Sequence, residues 1–432
     1  RWMQAHPPRS DHRLAVALIL KPGDTYSRVF NDARQAIASG ESDAHSRQVF
    51  FRSRPIGADA RVALVYPGSG NHYLGMGRDL ALRFPGIVNG MDRETAQLKT
   101  QFRPWNLMPW RHAWQPGWET QAISRLKADP LNMIFGQVVF GDLMTRILDR
   151  FSVRADAVIG YSLGETSALF AQGVWSDRGD MLARMQTTDL FTTQLAGPCL
   201  ALRQAWQIPA DETVAWRVAV VNRPAESVRK TLADIPRVRL LIVNSPHECV
   251  IGGLERAVGQ AIATMGCQAV NLDGVVTVHC DAAGPVAEAY RRLHVFPTAA
   301  KPGLDVYSCS LAAPYVVTSK KAADSIVKQA VEGFDFTQTI KRAAADGIRV
   351  FIETGPRASC TRMIDQILAG QPHLAVAANH GNEDEIASLL RCLARLVAER
   401  VPVSLSALYE GFQSLPVSEP VSARKIVSVA VG

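Results

Sequence analysis

Ser162 stands in Val158-Ile159-Gly160-Tyr161-Ser162-Leu163-Gly164-Glu165, a Gly-x-Ser-x-Gly pattern between an apolar run and a helical one. Glycines two residues either side of a serine permit a sharp strand-to-helix reversal that holds the hydroxyl out at the N-terminus of the next helix. That arrangement suits a nucleophile in acyl transfer, although an ordinary strand-helix turn can carry the same letters. Two further segments supply what a serine nucleophile needs. His279 follows Ser162 by 117 positions, in the β-rich run Val275-Val276-Thr277-Val278-His279-Cys280, and is the candidate base. Upstream, Tyr66-Pro67-Gly68-Ser69-Gly70-Asn71-His72 follows the apolar run Val62 to Val65, and its glycines let backbone N–H groups approach a ligand.

Positioning these three segments calls for strands that end at a common edge. Strand-helix alternation runs from Arg61 to about Gly197. From Pro198 to Leu272 the pattern changes. Strands are expected at Arg217–Val221, Arg239–Val243 and Cys249–Gly252, with helices at Ala225–Ala233 and Leu254–Met265, which suggests a small ferredoxin-like unit. Residues 1–57 read as a linker region of strand (Leu14–Leu20), helix (Thr25–Ala38) and strand (Val49–Phe51) cut from a longer polypeptide. Residues 409–432, rich in Ser, Val and Pro, read as an exit linker. The stretch Arg103 to Trp118 holds four of the eight tryptophans and three prolines. It is expected to be a loop packed on the body, or one that caps the site.

Taken together, the segments around Ser69, Ser162 and His279 resemble the malonyl/acyl-CoA:acyl-carrier-protein transacylase family, with Asn244-Ser245-Pro246 and Phe351-Ile352-Glu353-Thr354-Gly355-Pro356 as further points of similarity. Within it, the Tyr-Pro-Gly-Ser-Gly-Asn-His loop looks closest to the acyltransferase domains of polyunsaturated fatty acid synthases. The resemblance implies an α/β-hydrolase-like large subdomain (58–197 and 273–408) with a parallel sheet, and an inserted ferredoxin-like small subdomain (198–272). It implies a ping-pong reaction in which Ser162 forms an acyl ester, His279 moves the proton, and the amides of Leu163 and Ser69 hold the oxyanion. It also places Asp335, through carbonyl or carboxylate, as the group that orients His279. Gly68, Gly70, His72, Tyr161 and Asn244 are then candidates for the substrate site.

Two departures bear on the substrate. Tyr161 replaces the family's usual histidine before the nucleophile. Where malonyl-selective members place a carboxylate-binding arginine, 25 residues after the serine, this chain has Thr187, with Arg184 three residues earlier. Without an arginine in reach, a malonyl carboxylate would be buried unpaired, so a neutral acyl group is the expected substrate unless Arg184 reaches the pocket. The expected activity is transfer of an acyl group from a thioester to a carrier-protein phosphopantetheine within a fatty-acid or polyketide-type synthase. Hydrolysis by the same serine is the alternative, and a silent scaffold domain a third reading.

Composition sets the frame. With 432 residues, 47% of them hydrophobic, the chain can bury a large core. Its seven scattered cysteines lack Cys-x-x-Cys spacing, which argues against a disulfide framework or zinc site and for a reducing, cytoplasmic setting. The net charge of +7 favours acidic partners such as coenzyme A and acyl carrier protein, alongside neighbouring synthase domains. No nucleic-acid motif is present, and Leu14–Leu20 is too short to span a bilayer. Coenzyme A and phosphopantetheine are expected as substrate carriers, with no bound cofactor or metal.

Overall fold

The computed structural model describes residues 12–410 apart from 22, 42–45, 96, 108–114, 273–275 and 382. Its centre is a six-stranded sheet built from β3 (Arg61–Tyr66), β4 (Ala157–Gly160), β9 (Asp305–Ser308), β10 (Ala313–Tyr315), β12 (Ile348–Glu353) and β13 (Leu374–Ala377). Their order is β10-β9-β4-β3-β12-β13. All neighbours are parallel except β10, which hairpins back antiparallel onto β9, so the expected parallel sheet carries one antiparallel edge. The interior strands are buried on both faces: β4 is Ala-Val-Ile-Gly and β3 is apolar from Val62 to Val65. Continuous apolar runs of this kind belong to sheets covered by helices on both sides.

One covering helix, Pro130–Arg150, is long and apolar enough to cross a membrane by length and composition, but 89% of its most apolar window lies inside the protein. Phe135, Val138, Val139, Phe140, Leu143 and Met144 pack there against Leu64 and Tyr66 of β3 and Leu169 of the helix after Ser162.

The second sheet uses β5 (Trp216–Val221), β6 (Val238–Ser245), β7 (Glu248–Leu254) and β8 (Ala269–Leu272) in the order β6-β7-β5-β8, antiparallel throughout. Helices Ala225–Leu232 and Glu255–Met265 complete a βαββαβ ferredoxin-like unit, each helix close to its expected span. A fifth strand goes beyond the expected unit: β11 (Phe334–Asp335), from the returning chain, adds in parallel to β6.

Near the N-terminus, β1 (Val16–Leu18) and β2 (Val49–Phe51) pair antiparallel, with helix Tyr26–Ser39 against them. Phe50 packs on Ala394 and Ala398 of helix Glu385–Ala398. The tryptophan-rich stretch enters as a four-residue helix, Pro104–Leu107, and leaves as helix Trp118–Ala128; its middle, and most of 409–432, lie outside the described residues.

Candidate active site

Ser162 occupies the reversal between β4 and helix Leu163–Ala171, with φ 55° and ψ −119°. This is a strained backbone for a residue with a Cβ, and the surrounding packing must impose it. The flanking glycines are required by contact as much as by torsion. A Cβ on Gly160 would lie 2.1 Å from the amide nitrogen of Glu165, and one on Gly164 would lie 1.9 Å from the carbonyl oxygen of Tyr66. Strand and helix therefore approach closely enough only because both positions lack side chains.

The hydroxyl so displayed meets His279, with Oγ 2.9 Å from Nε2. His279 does not end a strand as expected. Its segment spends its polar groups elsewhere: Thr277 donates from its amide and hydroxyl to the Leu195 carbonyl (2.8 and 3.0 Å), and His279 (φ 68°) donates its amide to the Ala330 carbonyl at 2.6 Å. Val275, in the same run, is outside the described residues. Cys280 is nonetheless buried in the core, as the sequence suggests, and burial pushes its thiol up to about 12.

Asp335 does not orient the histidine. His279 Nδ1 lies 2.8 Å from the carbonyl oxygen of Gln329, while the Asp335 carboxylate caps helix Phe336–Ala345, accepting from the Gln338 amide at 3.2 Å and its side-chain nitrogen at 2.9 Å. The physical reason is local: Asp335 leaves β11 directly into a helix whose first amides lack partners, and a short carboxylate satisfies them. Gln329 lies in the last turn of helix Ser319–Glu332, so His279 docks its ring and its amide on that helix's C-terminal carbonyls. The negative end of the helix dipole faces the imidazole and can support an imidazolium.

Since a carbonyl only accepts, Nδ1 carries the hydrogen and Nε2 presents its lone pair to the serine. Desolvation lowers the pKa of His279 to about 4, so the ring is neutral near pH 7 and ready to take a proton.

The two residues expected to hold the oxyanion lie beside the serine. Ser69 and Leu163 line one cavity with Ser162 and His279, and among the described residues neither of their amides donates to a protein acceptor. The Ser69 loop is held by a group that motif reading missed. Gln137, buried on helix Pro130–Arg150, donates from Nε2 to the Pro67 carbonyl (2.8 Å) and to that of Gly68; Asn71 also donates to the Gly68 carbonyl at 2.8 Å. A single glutamine within a 21-residue apolar helix carries no motif, so only the fold reveals its role.

Tyr161 packs edge-on to Phe334 and Phe336 and donates to Asn244 Oδ1 at 2.7 Å. Asn244 Nδ2 donates in turn to Glu248 at 2.9 Å, and Glu248 pairs with Arg362. Tyr161 and Asn244 thereby tie the nucleophile turn to the ferredoxin-like sheet. Both line an outer cleft of about 950 Å³ with Gly70, His72, Trp216, Arg357 and Arg362. Gly68 lies directly under the Tyr161 ring, where a Cβ would come within 2.7 Å.

The inner cavity, about 60 Å³, shares Ser69, Met133 and Val276 with the outer cleft and continues past Met181, Met185, Phe191, Tyr290, His294 and Ile326. No Lys, Arg, Asp or Glu is among its described lining residues. Arg184 does not reach it. Its guanidinium pairs with Asp180 at 2.6 Å, donates to the Val295 carbonyl at 2.9 Å and sits 4.3 Å above the Phe296 ring. Thr187 is also turned away, donating to the Arg184 carbonyl at 3.0 Å. The same helix presents Met181 and Met185 to the cavity, four residues apart on one face.

Glu165 lies beneath the site, buried, accepting from Ser325 (2.6 Å), Tyr315 (3.0 Å) and Gln329 Nε2 (3.4 Å). Burial raises its pKa to about 7. A carboxyl that binds protons more tightly in the folded state contributes stability fully below its unfolded pKa of about 4.5, and loses it as pH rises through 7. Glu165→Gln keeps an acceptor for both hydroxyls and cannot ionise. Its stability relative to wild type is therefore expected to increase between pH 5 and pH 8 by roughly 2–3 kcal/mol, read from denaturant unfolding at both pH values. A difference that does not change with pH would contradict this.

Fold and site together define a serine-histidine protein of α/β-hydrolase-like architecture with an inserted ferredoxin-like subdomain. The chain's homologues and structural neighbours are the malonyl-CoA:acyl carrier protein transacylases and the acyltransferase domains of polyketide and polyunsaturated fatty acid synthases. Over 385 residues it is 25% identical to a polyunsaturated fatty acid synthase polypeptide of Thraustochytrium sp., covering 83% of this chain and 18% of that protein. It is 23% identical over 310 residues to the malonyl CoA-acyl carrier protein transacylase of Bacillus subtilis, covering 69% of this chain and 87% of that one. The acyltransferase domain from the second module of the salinomycin polyketide synthase superimposes with a TM-score of 0.70 at 23% identity, over 95% of this chain and 89% of that domain. No family model matches the chain. It spans less than a fifth of the length of the Thraustochytrium synthase polypeptide.

Proposed function

We propose that this chain is an acyltransferase domain that carries a neutral acyl group from a thioester, through an ester on Ser162, to the phosphopantetheine thiol of an acyl carrier protein within a synthase. The observation that carries the reading is the 2.9 Å contact between Ser162 Oγ and His279 Nε2, with Ser69 and Leu163, whose amides are uncommitted, lining the same cavity. Ser162 Oγ attacks the thioester carbonyl carbon and its proton passes to Nε2. The carbonyl oxygen takes up negative charge against the amides of Leu163 and Ser69. As the C–S bond breaks, Nε2 returns the proton to the departing sulfur. The second half-reaction runs the same steps backwards with the carrier thiol as nucleophile, deprotonated by neutral His279.

The names of the relatives support carrier protein as acceptor, and the uncharged inner cavity supports a neutral acyl group over malonyl. Coenzyme A or phosphopantetheine enters as substrate carrier, without a resident cofactor. Seven free cysteines accord with a reducing, cytoplasmic setting. The test is intact-mass analysis after brief exposure to acetyl-, malonyl-, butyryl- and longer acyl-CoAs, beside Ser162→Ala. Adducts of neutral acyl groups that vanish in Ser162→Ala are the expected result. Free acid accumulating without transfer to carrier protein would favour hydrolysis; no adduct and no turnover would overturn the reading.

A further inference from the structure

We infer that Tyr290 and His294 form an uncharged polar subsite in the inner cavity that recognises a hydroxyl group on the acyl chain. This rests on the acyltransferase reading and narrows its substrate class. The two residues lie one helical turn apart at the end of helix Ala287–Leu293, and their rings stack with centroids 4.8 Å apart. His294 is 4% exposed, and its Nδ1 is 2.8 Å from the Tyr290 carbonyl. A carbonyl only accepts, so Nδ1 holds the hydrogen and Nε2 is left as a bare acceptor. Burial and the nearby Arg184 charge both disfavour protonation, lowering the pKa of His294 to about 4.

Nε2 accepts no hydrogen bond from any described residue, and the Tyr290 hydroxyl likewise has no described partner, although both side chains line the cavity that contains Ser162 and His279. Around them the wall is Met133, Ile134, Met181, Met185, Phe191 and Val278. Half-buried Tyr290 and buried His294 thus present a hydroxyl and a bare acceptor to a cavity whose wall around them is largely apolar, and polar atoms so placed without a protein partner point to a ligand group that satisfies them.

The chemistry of the pair selects among acyl groups. A plain alkyl chain leaves both atoms unsatisfied. A carboxylate brings negative charge to a lone pair in a cavity without a cation. A ketone can accept from Tyr290 but offers nothing to Nε2. A hydroxyl donates to Nε2 and accepts from the Tyr290 hydroxyl, satisfying both at once. A site built to hydrogen-bond a substrate hydroxyl discriminates against the analogue that lacks it.

The experiment measures the rate at which Ser162 is acylated by butyryl-, 3-hydroxybutyryl- and 4-hydroxybutyryl-CoA, in wild type, His294→Leu and Tyr290→Phe, by time-resolved intact mass. One hydroxyacyl donor is expected to outpace butyryl roughly five- to tenfold in wild type. That ratio is expected to fall to about one in His294→Leu and to decrease in Tyr290→Phe, which removes only the hydroxyl. Because each ratio is internal to one protein, a general loss of activity or stability does not imitate the result. Equal rates for all three donors in wild type, or a ratio that survives both substitutions, would overturn the subsite while leaving the acyl-serine intact. No adduct from any donor would overturn the acyltransferase reading and the subsite with it.

Discussion

His279→Ala is expected to slow acylation of Ser162 by roughly 10³–10⁴-fold, whereas Asp335→Ala leaves it within about twofold and costs about 1 kcal/mol of stability. The contrast follows from where the two side chains go. His279 Nε2 is the sole described base at the serine hydroxyl, while the Asp335 carboxylate closes the first turn of helix Phe336–Ala345. Orientation of the imidazole comes from the Gln329 carbonyl, which no side-chain substitution removes. Single-turnover acylation rates, with urea unfolding of both variants, check the pair of effects. The pH profile follows too: His279 must be neutral to act as base, so kcat/KM for acylation falls as pH drops through about 4 and is level above that from this group. A large loss of acylation in Asp335→Ala, without unfolding, would return that residue to the catalytic machinery.

Gly164→Ala is the second change with a large expected effect. The added methyl would sit 1.9 Å from the Tyr66 carbonyl oxygen, and that obstacle is backbone of the central strand β3, which cannot swing aside as a side chain would. Separating β3 from helix Leu163–Ala171 disturbs the core around Tyr66 and Leu169, so a destabilisation above about 4 kcal/mol, or failure to fold, is expected. Gly259→Ala is the counterpart. It lies inside helix Glu255–Met265 with open space where a Cβ would stand, and is expected to gain about 0.5–1 kcal/mol through helix propensity. Thermal unfolding of the two variants should move in opposite directions; a Gly164→Ala protein as stable as wild type would show that the elbow is not close-packed.

What the sequence made legible is what local backbone geometry and short-range pattern control. Glycines at 160 and 164 announce the elbow because nothing else fits there, and three strands and two helices between 217 and 265 announce the small sheet, whose last strand, Ala269–Leu272, only the structure supplies. Gln329 escaped because a carbonyl oxygen is present at every residue and acquires a role only when a helix ends beside a histidine. Gln137, Tyr290 and His294 escaped for a related reason: Gln137 is a lone polar residue in an apolar helix and Tyr290 and His294 sit at the end of an ordinary charged one, and the meaning of each depends on which loop or cavity the fold turns it toward. Arg184 shows the opposite failure. Spacing along a helix put it near the substrate position, but Asp180, the Phe296 ring and the Val295 carbonyl hold it elsewhere.

The short strand β11 has a consequence for anyone recombining such domains. Phe334 and Asp335 come from the returning chain yet pair with Ile242 and Val243 at the edge of the smaller sheet, and Phe334 also touches the rings of Tyr161 and His279. A chimaera cut at the two ends of the inserted unit alone would join a foreign sheet edge to a native stitch. A graft that carries residues 334–335 with the insert keeps that seam matched, and with it the alignment of the base that the same phenylalanine supports.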